Sequence, residues 1–178
     1  MATATLIIED GTASSYSANS YITVAEANQF CANHGLSDWE NFDNSDKITA
    51  IIRACAFVDA EYHFKGAKYS YDSPMQWPRV GVYDEINLEP EDEEYYQEIP
   101  RALKNACCRA AYEEAMSPGV LQANETTNVK REKIDVIETE YFEKGSSKTI
   151  YRTIEGFIKD LITNANGSSQ GFANILRT

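Results

Sequence analysis

The side chains in this 178-residue sequence that could do chemistry are four cysteines, two histidines and a dense run of carboxylates. Cys31, Cys55, Cys107 and Cys108 contain no C-x-x-C pair, and His34 and His63 complete no recognisable ligand set. A zinc centre needs several ligands gathered at fixed spacing, so no metal site is expected. Cys31, Cys55 and one of the vicinal pair read instead as small core-filling residues on helices. Adjacent helical positions point about 100° apart, so Cys107 and Cys108 are not expected to face one core together. Unpaired thiols suit a reducing, cytosolic environment. Each histidine is expected in the last turn of a helix, where imidazole meets the carbonyl end of the dipole. Neither has a serine, cysteine or carboxylate arranged around it for catalysis.

The carboxylates are concentrated. Eight lie between Asp84 and Glu98 with no lysine or arginine among them, in a chain of 28 acids and 16 bases with net charge −12. Such a run reads as a solvated loop, although Tyr83, Ile86, Leu88, Tyr95 and Tyr96 within it suit partner contact. Glycosidase-type work needs two carboxyls held across a cleft, which a run in one loop does not supply. The phosphate-binding, nucleophile-elbow and zinc-protease motifs are all missing. The chain is therefore expected to be no enzyme and to take no cofactor. Lys130-Arg131-Glu132-Lys133 is the one basic cluster, short for a nucleic-acid footprint. The 20 aromatic residues could supply stacking platforms, but single-strand binders pair these with a positive groove. Met1 to Asp10 lacks a basic leader and reads as no signal peptide. No stretch approaches the roughly 20 apolar residues of a membrane span, so no membrane partner is expected.

A chain of this length and a 43% hydrophobic composition can build a full core without staples. Leu6-Ile7-Ile8 reads as a short strand closed by Glu9-Asp10-Gly11. Thr23 and Glu26 form a capping box opening a helix from Val24 to about His34, followed by a loop from Leu36 to Asn44. Ser45 or Asp46 caps the next helix, whose stripe of Ile48, Ile51, Ile52, Cys55, Val58 and Tyr62 faces a core and which Gly66 ends. Residues 67–97 read as long and irregular. Within them Met75-Gln76-Trp77-Pro78-Arg79 is expected to be fixed, with Trp77 as an anchor. Ile99-Pro100 opens a third helix to about Met116 with a face of Leu103, Ala106, Cys107, Ala110 and Ala111. A hairpin is expected over about 129–151, turning at Gly145-Ser146-Ser147, and a short last helix over Thr153 to Ile162. The predicted fold is mainly α with a small β element. It is a bundle of three to four helices plus a hairpin in one domain, 1–163, and a flexible linker and arm over 164–178.

Three stretches carry a resemblance. Ile8-Glu9-Asp10-Gly11 with Ala18-Asn19-Ser20-Tyr21, then Gln76-Trp77-Pro78-Arg79-Val80-Gly81 before Ile99-Pro100, then Lys130 to Ile134 followed by Ile137 to Tyr141, stand in the order seen in a family of small tailed-bacteriophage proteins. The chain resembles the head-tail connector or adaptor family, whose members also go under the description of DnaT-like single-stranded-DNA-binding proteins. Of the two, the net charge favours the connector, since a conduit must not hold the genome it passes. That resemblance implies a structural virion protein in the neck between capsid and tail, made in the host cytoplasm. It would form a ring homo-oligomer, twelve-fold by resemblance, between the portal protein and a tail-side connector or tail terminator, with DNA passing through unheld. The implied portal-docking arm is Phe172, Ile175, Leu176 and Arg177. Candidate subunit-interface residues are Trp77, Arg79, Ile134, Val136 and Tyr141, because a closed ring needs two complementary patches. The alternative is a single-stranded-DNA-binding replication accessory, which would show salt-sensitive binding.

Overall fold

A computed structural model describes residues 4–11, 16–82, 99–122, 131–134, 137–140 and 151–163. In chain order, α1 spans Val24–Asn33, a 3-10 turn Ser37–Asn41, α2 Asn44–Glu61, β1 Ala67–Lys68, β2 Arg79–Val80, α3 Arg101–Met116, a second 3-10 turn Val120–Gln122, β3 Arg131–Ile134, β4 Ile137–Glu140 and α4 Arg152–Ile158. The expected class is what folds: a mainly helical protein with small antiparallel β elements.

The capping box forms as predicted. Glu26 N–H donates to Thr23 Oγ1 at 3.1 Å, and Thr23 N–H donates to Glu26 Oε2 at 2.7 Å, so two orphan donors of α1 are satisfied. The other Glu26 oxygen accepts from Lys104 Nζ at 2.8 Å, tying α1 to α3. In the loop predicted after α1, Trp39 turns inward and its Nε1–H donates to Asn28 Oδ1 at 2.7 Å.

Helix α3 lies at the centre of the bundle, in contact with α1, α2 and α4. This corrects the expectation for its vicinal thiols: Cys107 and Cys108 are both buried, because neighbouring helices cover α3 on more than one side. Its small residues Ala106, Ala110 and Ala111 are also buried, and small faces let helix axes approach closely. Burial pushes the Cys31 thiol up to about 11, and the Cys107 and Cys108 thiols further, so these groups stay protonated as core fillers. Near the end of α3 the buried Glu114 carboxylate accepts from Arg53 at 3.1 Å and from Gly119 N–H at 2.7 Å, bracing the turn that follows.

Several parts of the fold differ from the sequence reading. The N-terminal strand is only a parallel bridge between Ile8 and Ser20, its backbone groups shared with Asn19 instead of a second strand. Helix α2 stops at Glu61, well before Gly66, because the chain leaves it to pair with the end of the last helix. There Phe64 bridges Ile162, Lys65 N–H donates to Leu161 O at 2.9 Å and Thr163 N–H donates to His63 O at 2.8 Å. His63 therefore lies beyond the helix and serves no dipole. His34 does cap α1, through Nδ1 and the Phe30 carbonyl at 2.8 Å. Finally, β3 and β4 pair antiparallel with Ile134 opposite Ile137, a register that leaves Gly145 outside the connection between them. At the far end of the hairpin expected over about 129–151, Tyr151 is the N-cap residue of α4. Residues 141–150, the acidic segment 84–98 and the arm lie outside the described residues.

Candidate functional site

The segment between α2 and α3 carries the buried polar side chains of Ser73 and Arg79 and meets two further polar groups from other elements. Tyr21, carried into the core by the N-terminal bridge, is fully buried, and its hydroxyl donates to Asp59 Oδ1 at 2.6 Å. The same hydroxyl oxygen accepts from Gln76 N–H at 2.9 Å and Trp77 N–H at 3.1 Å, and Asp59 Oδ2 accepts from Gln76 N–H at 3.1 Å. Two side chains from distant elements thus satisfy the backbone on which Trp77 enters the core. The Trp77 ring is 0% exposed and meets Phe64 edge-on, with centroids 5.9 Å apart. The Trp77–Pro78 peptide is cis.

Arg79 closes the arrangement. Its Nε–H donates to Lys65 O at 2.8 Å, while one terminal nitrogen reaches Phe64 O at 3.2 Å and Gly66 O at 2.8 Å. The other donates to Gln76 O at 3.2 Å and Gln76 Oε1 at 3.1 Å. Only a planar fork of five donors can tie three consecutive carbonyls to a fourth backbone group in this way. Gly66 sits against β2 with φ +69°, where a Cβ would lie 2.1 Å from Val80 O. The pairs Ala67–Val80 and Lys68–Arg79, with Tyr69 N–H donating to Pro78 O at 3.0 Å, complete the junction.

These contacts correct the interface expectation for two residues. Trp77 and Arg79 (7% exposed) are inside their own chain because the 64–80 segment folds back on α2, so neither offers a surface to a neighbouring subunit. Ile134 lies in β3, opposite Ile137 in the register. Val136, Tyr141 and the docking residues Phe172, Ile175, Leu176 and Arg177 lie outside the described residues.

What the clamp holds outward is a short loop of different chemistry. Tyr71 is 96% exposed and Tyr69 40%, on a segment that also carries Lys65 and Lys68. Lys68 Nζ donates to Ser73 O at 2.6 Å, and Ser73 Oγ donates to Met75 O at 3.1 Å, so the loop is bolted at its base as well. The sequence reading missed this cluster, although two lysines and two tyrosines in Lys65-Gly66-Ala67-Lys68-Tyr69-Ser70-Tyr71 were a visible signal. It also missed Tyr21 and Asp59, which no local pattern sets apart from ordinary polar neighbours of a core. Among the described residues no group of three or more metal-ligating side chains comes together, and no helix is long and apolar enough to cross a membrane.

Asp59 gives the assembly a pH signature. Burial raises its pKa to about 6, while the Tyr21 hydroxyl and Gln76 N–H limit the rise. A carboxyl raised above its unfolded value of about 3.9 binds more protons folded than unfolded between those values. Its contribution to stability is fully present below about pH 4 and is lost as pH rises through about 6. The Asp59→Asn variant should lack this term. Urea midpoints measured from pH 7 down to pH 5 should therefore rise for wild type relative to the variant; parallel curves would contradict it.

The described residues form a mainly helical protein with a braced, tyrosine-bearing loop. The chain belongs to the family described as "Putative DnaT-like ssDNA binding protein", which it matches over residues 4–178. No curated protein and no solved structure matches it. The family match corrects the expectation of a virion head-tail connector: it carries the single-stranded-DNA description, and nothing in it speaks for a connector. The charge argument that favoured the connector summed the whole chain. Eight of the twelve net negative charges fall in 84–98, and a contact screened beyond about 8 Å is decided by its own neighbours.

Proposed function

We propose that this protein binds single-stranded DNA as a non-catalytic accessory. The observation that carries the reading is the family match, which spans nearly the whole chain. Net charge −12 gives no help from long-range attraction, so binding depends on a local contact that tolerates an acidic body. Such a contact relies on base stacking more than on phosphate neutralisation.

The salt dependence is the test. Each phosphate neutralised on a single strand contributes a slope of about 0.7 in log affinity against log salt. With a few lysines at most engaged, the slope should be shallow, about 1.4 for two contacts. Anisotropy titration of a fluorescein-labelled oligothymidine at increasing sodium chloride measures it. Saturable, micromolar binding at low salt with that shallow slope is the expected result. No binding at low salt would overturn the function.

A further inference from the structure

We infer that Tyr69 and Tyr71, with Lys65 and Lys68 beside them, form the stacking contact for the bases of a single strand, an assignment that rests on the DNA-binding reading above. Large apolar side chains exposed among the described residues are Tyr16, Tyr69, Tyr71 and Met116, and two of these four fall within three residues on one loop. A tyrosine ring on a surface offers a π-face to any base, which gives affinity without sequence preference. The 62–71 segment contains no acid and two lysines, although Glu61 and Asp72 flank it and Asp160 follows the α4 end that pairs with it. Its local charge is therefore near neutral, unlike that of the chain as a whole, so phosphates are not turned away there.

The second argument is rigidity. Buried charge is costly to maintain, yet a guanidinium and a carboxylate are both committed behind this loop: Arg79 holds the 64–66 carbonyls, and Asp59 with Tyr21 holds Gln76 and Trp77. Lys68 and Ser73 close the turn between them. A loop fixed in one shape loses little conformational entropy when a ligand docks, which is what a contact with modest electrostatic help requires.

Three variants test the assignment against the same oligothymidine. Tyr71→Ala should weaken binding at least about fivefold, the lower end for loss of one stacked base. Tyr69→Ala/Tyr71→Ala should weaken it further. Tyr71→Phe, which keeps the ring, should stay within about twofold of wild type. Circular dichroism melts of each variant establish that the fold is intact, and photocrosslinking of a bromodeoxyuridine oligonucleotide should map to the peptide containing Tyr69 and Tyr71. If wild type binds and the double alanine variant binds equally well, the strand sits elsewhere and this assignment is overturned while the function stands. If Tyr71→Phe loses as much as Tyr71→Ala, the ring is not stacking and the assignment also fails. If wild type binds no strand at all, the function falls with it, and a protein partner becomes the occupant of the tyrosines.

Discussion

Replacing Arg79 by methionine should lower stability by about 3 kcal/mol or more, although the new side chain is apolar and of similar length. The five donors of the guanidinium satisfy the carbonyls of Phe64, Lys65, Gly66 and Gln76 and the Gln76 side chain, all from one side chain that is almost wholly enclosed. Methionine fills the space and leaves those acceptors without their donor, and each buried acceptor left unmade costs about 1–3 kcal/mol. Arg79→Lys should recover only part of the loss, because an ammonium cannot span the carbonyls of 64–66 and Gln76 together. Urea denaturation gives the magnitude, and hydrogen exchange locates it: the amides of Lys65 and Tyr69 should open first. A cost below about 1 kcal/mol would mean that water or backbone relaxation replaces the fork without difficulty.

Trp77→Ala should cost about 3–5 kcal/mol, the range for a large aromatic side chain removed from a closed core. The ring is fully enclosed and packs edge-on against Phe64, and its backbone N–H is held by the Tyr21 hydroxyl, so the surroundings are pinned and cannot collapse to fill the void. Domain stabilities are commonly about 5–15 kcal/mol, so this one change removes a large share. Thermal and urea unfolding followed by circular dichroism measure it. Because the cavity and the clamp share partners, the Arg79→Met and Trp77→Ala costs should not add; a double variant whose cost equals the sum would show two independent sites.

Much of the helical framework was legible in the residues. Thr23 and Glu26 satisfy each other at adjacent backbone groups, so the start of α1 needs nothing distant. The start of α3 behind Pro100 and its small-residue face are likewise local signals, and the face is buried as expected. The failures share one cause. Gly66 looked like a helix stop, but Phe64 and Lys65 are drawn off α2 by Leu161 and Ile162, almost a hundred residues later in the chain. Cys107 and Cys108 looked like one inward and one outward residue, a judgement valid for a helix with one covered face, whereas α3 has neighbours on several. Gly145 is the local turn signal in the sequence, whereas cross-strand pairing sets Ile134 opposite Ile137.

The site shows the same division. Gln76-Trp77-Pro78-Arg79 stood out by composition as a fixed element with an aromatic anchor, and it is one. Its supposed surface role was wrong, because burial of Trp77 and Arg79 depends on Tyr21 and Asp59, which lie 56 and 18 residues before Trp77 in sequence.

By itself, then, the sequence determined where α1 and α3 begin, which helical faces are apolar and that the chain carries no recognised catalytic motif, since these follow from contacts within one or two helical turns. The tertiary structure alone decided where α2 ends, that α3 is central, and that a buried guanidinium and a half-buried carboxylate stand behind an exposed pair of tyrosines. Those outcomes depend on which distant groups meet to satisfy each buried donor and acceptor, and linear spacing carries little information about such meetings.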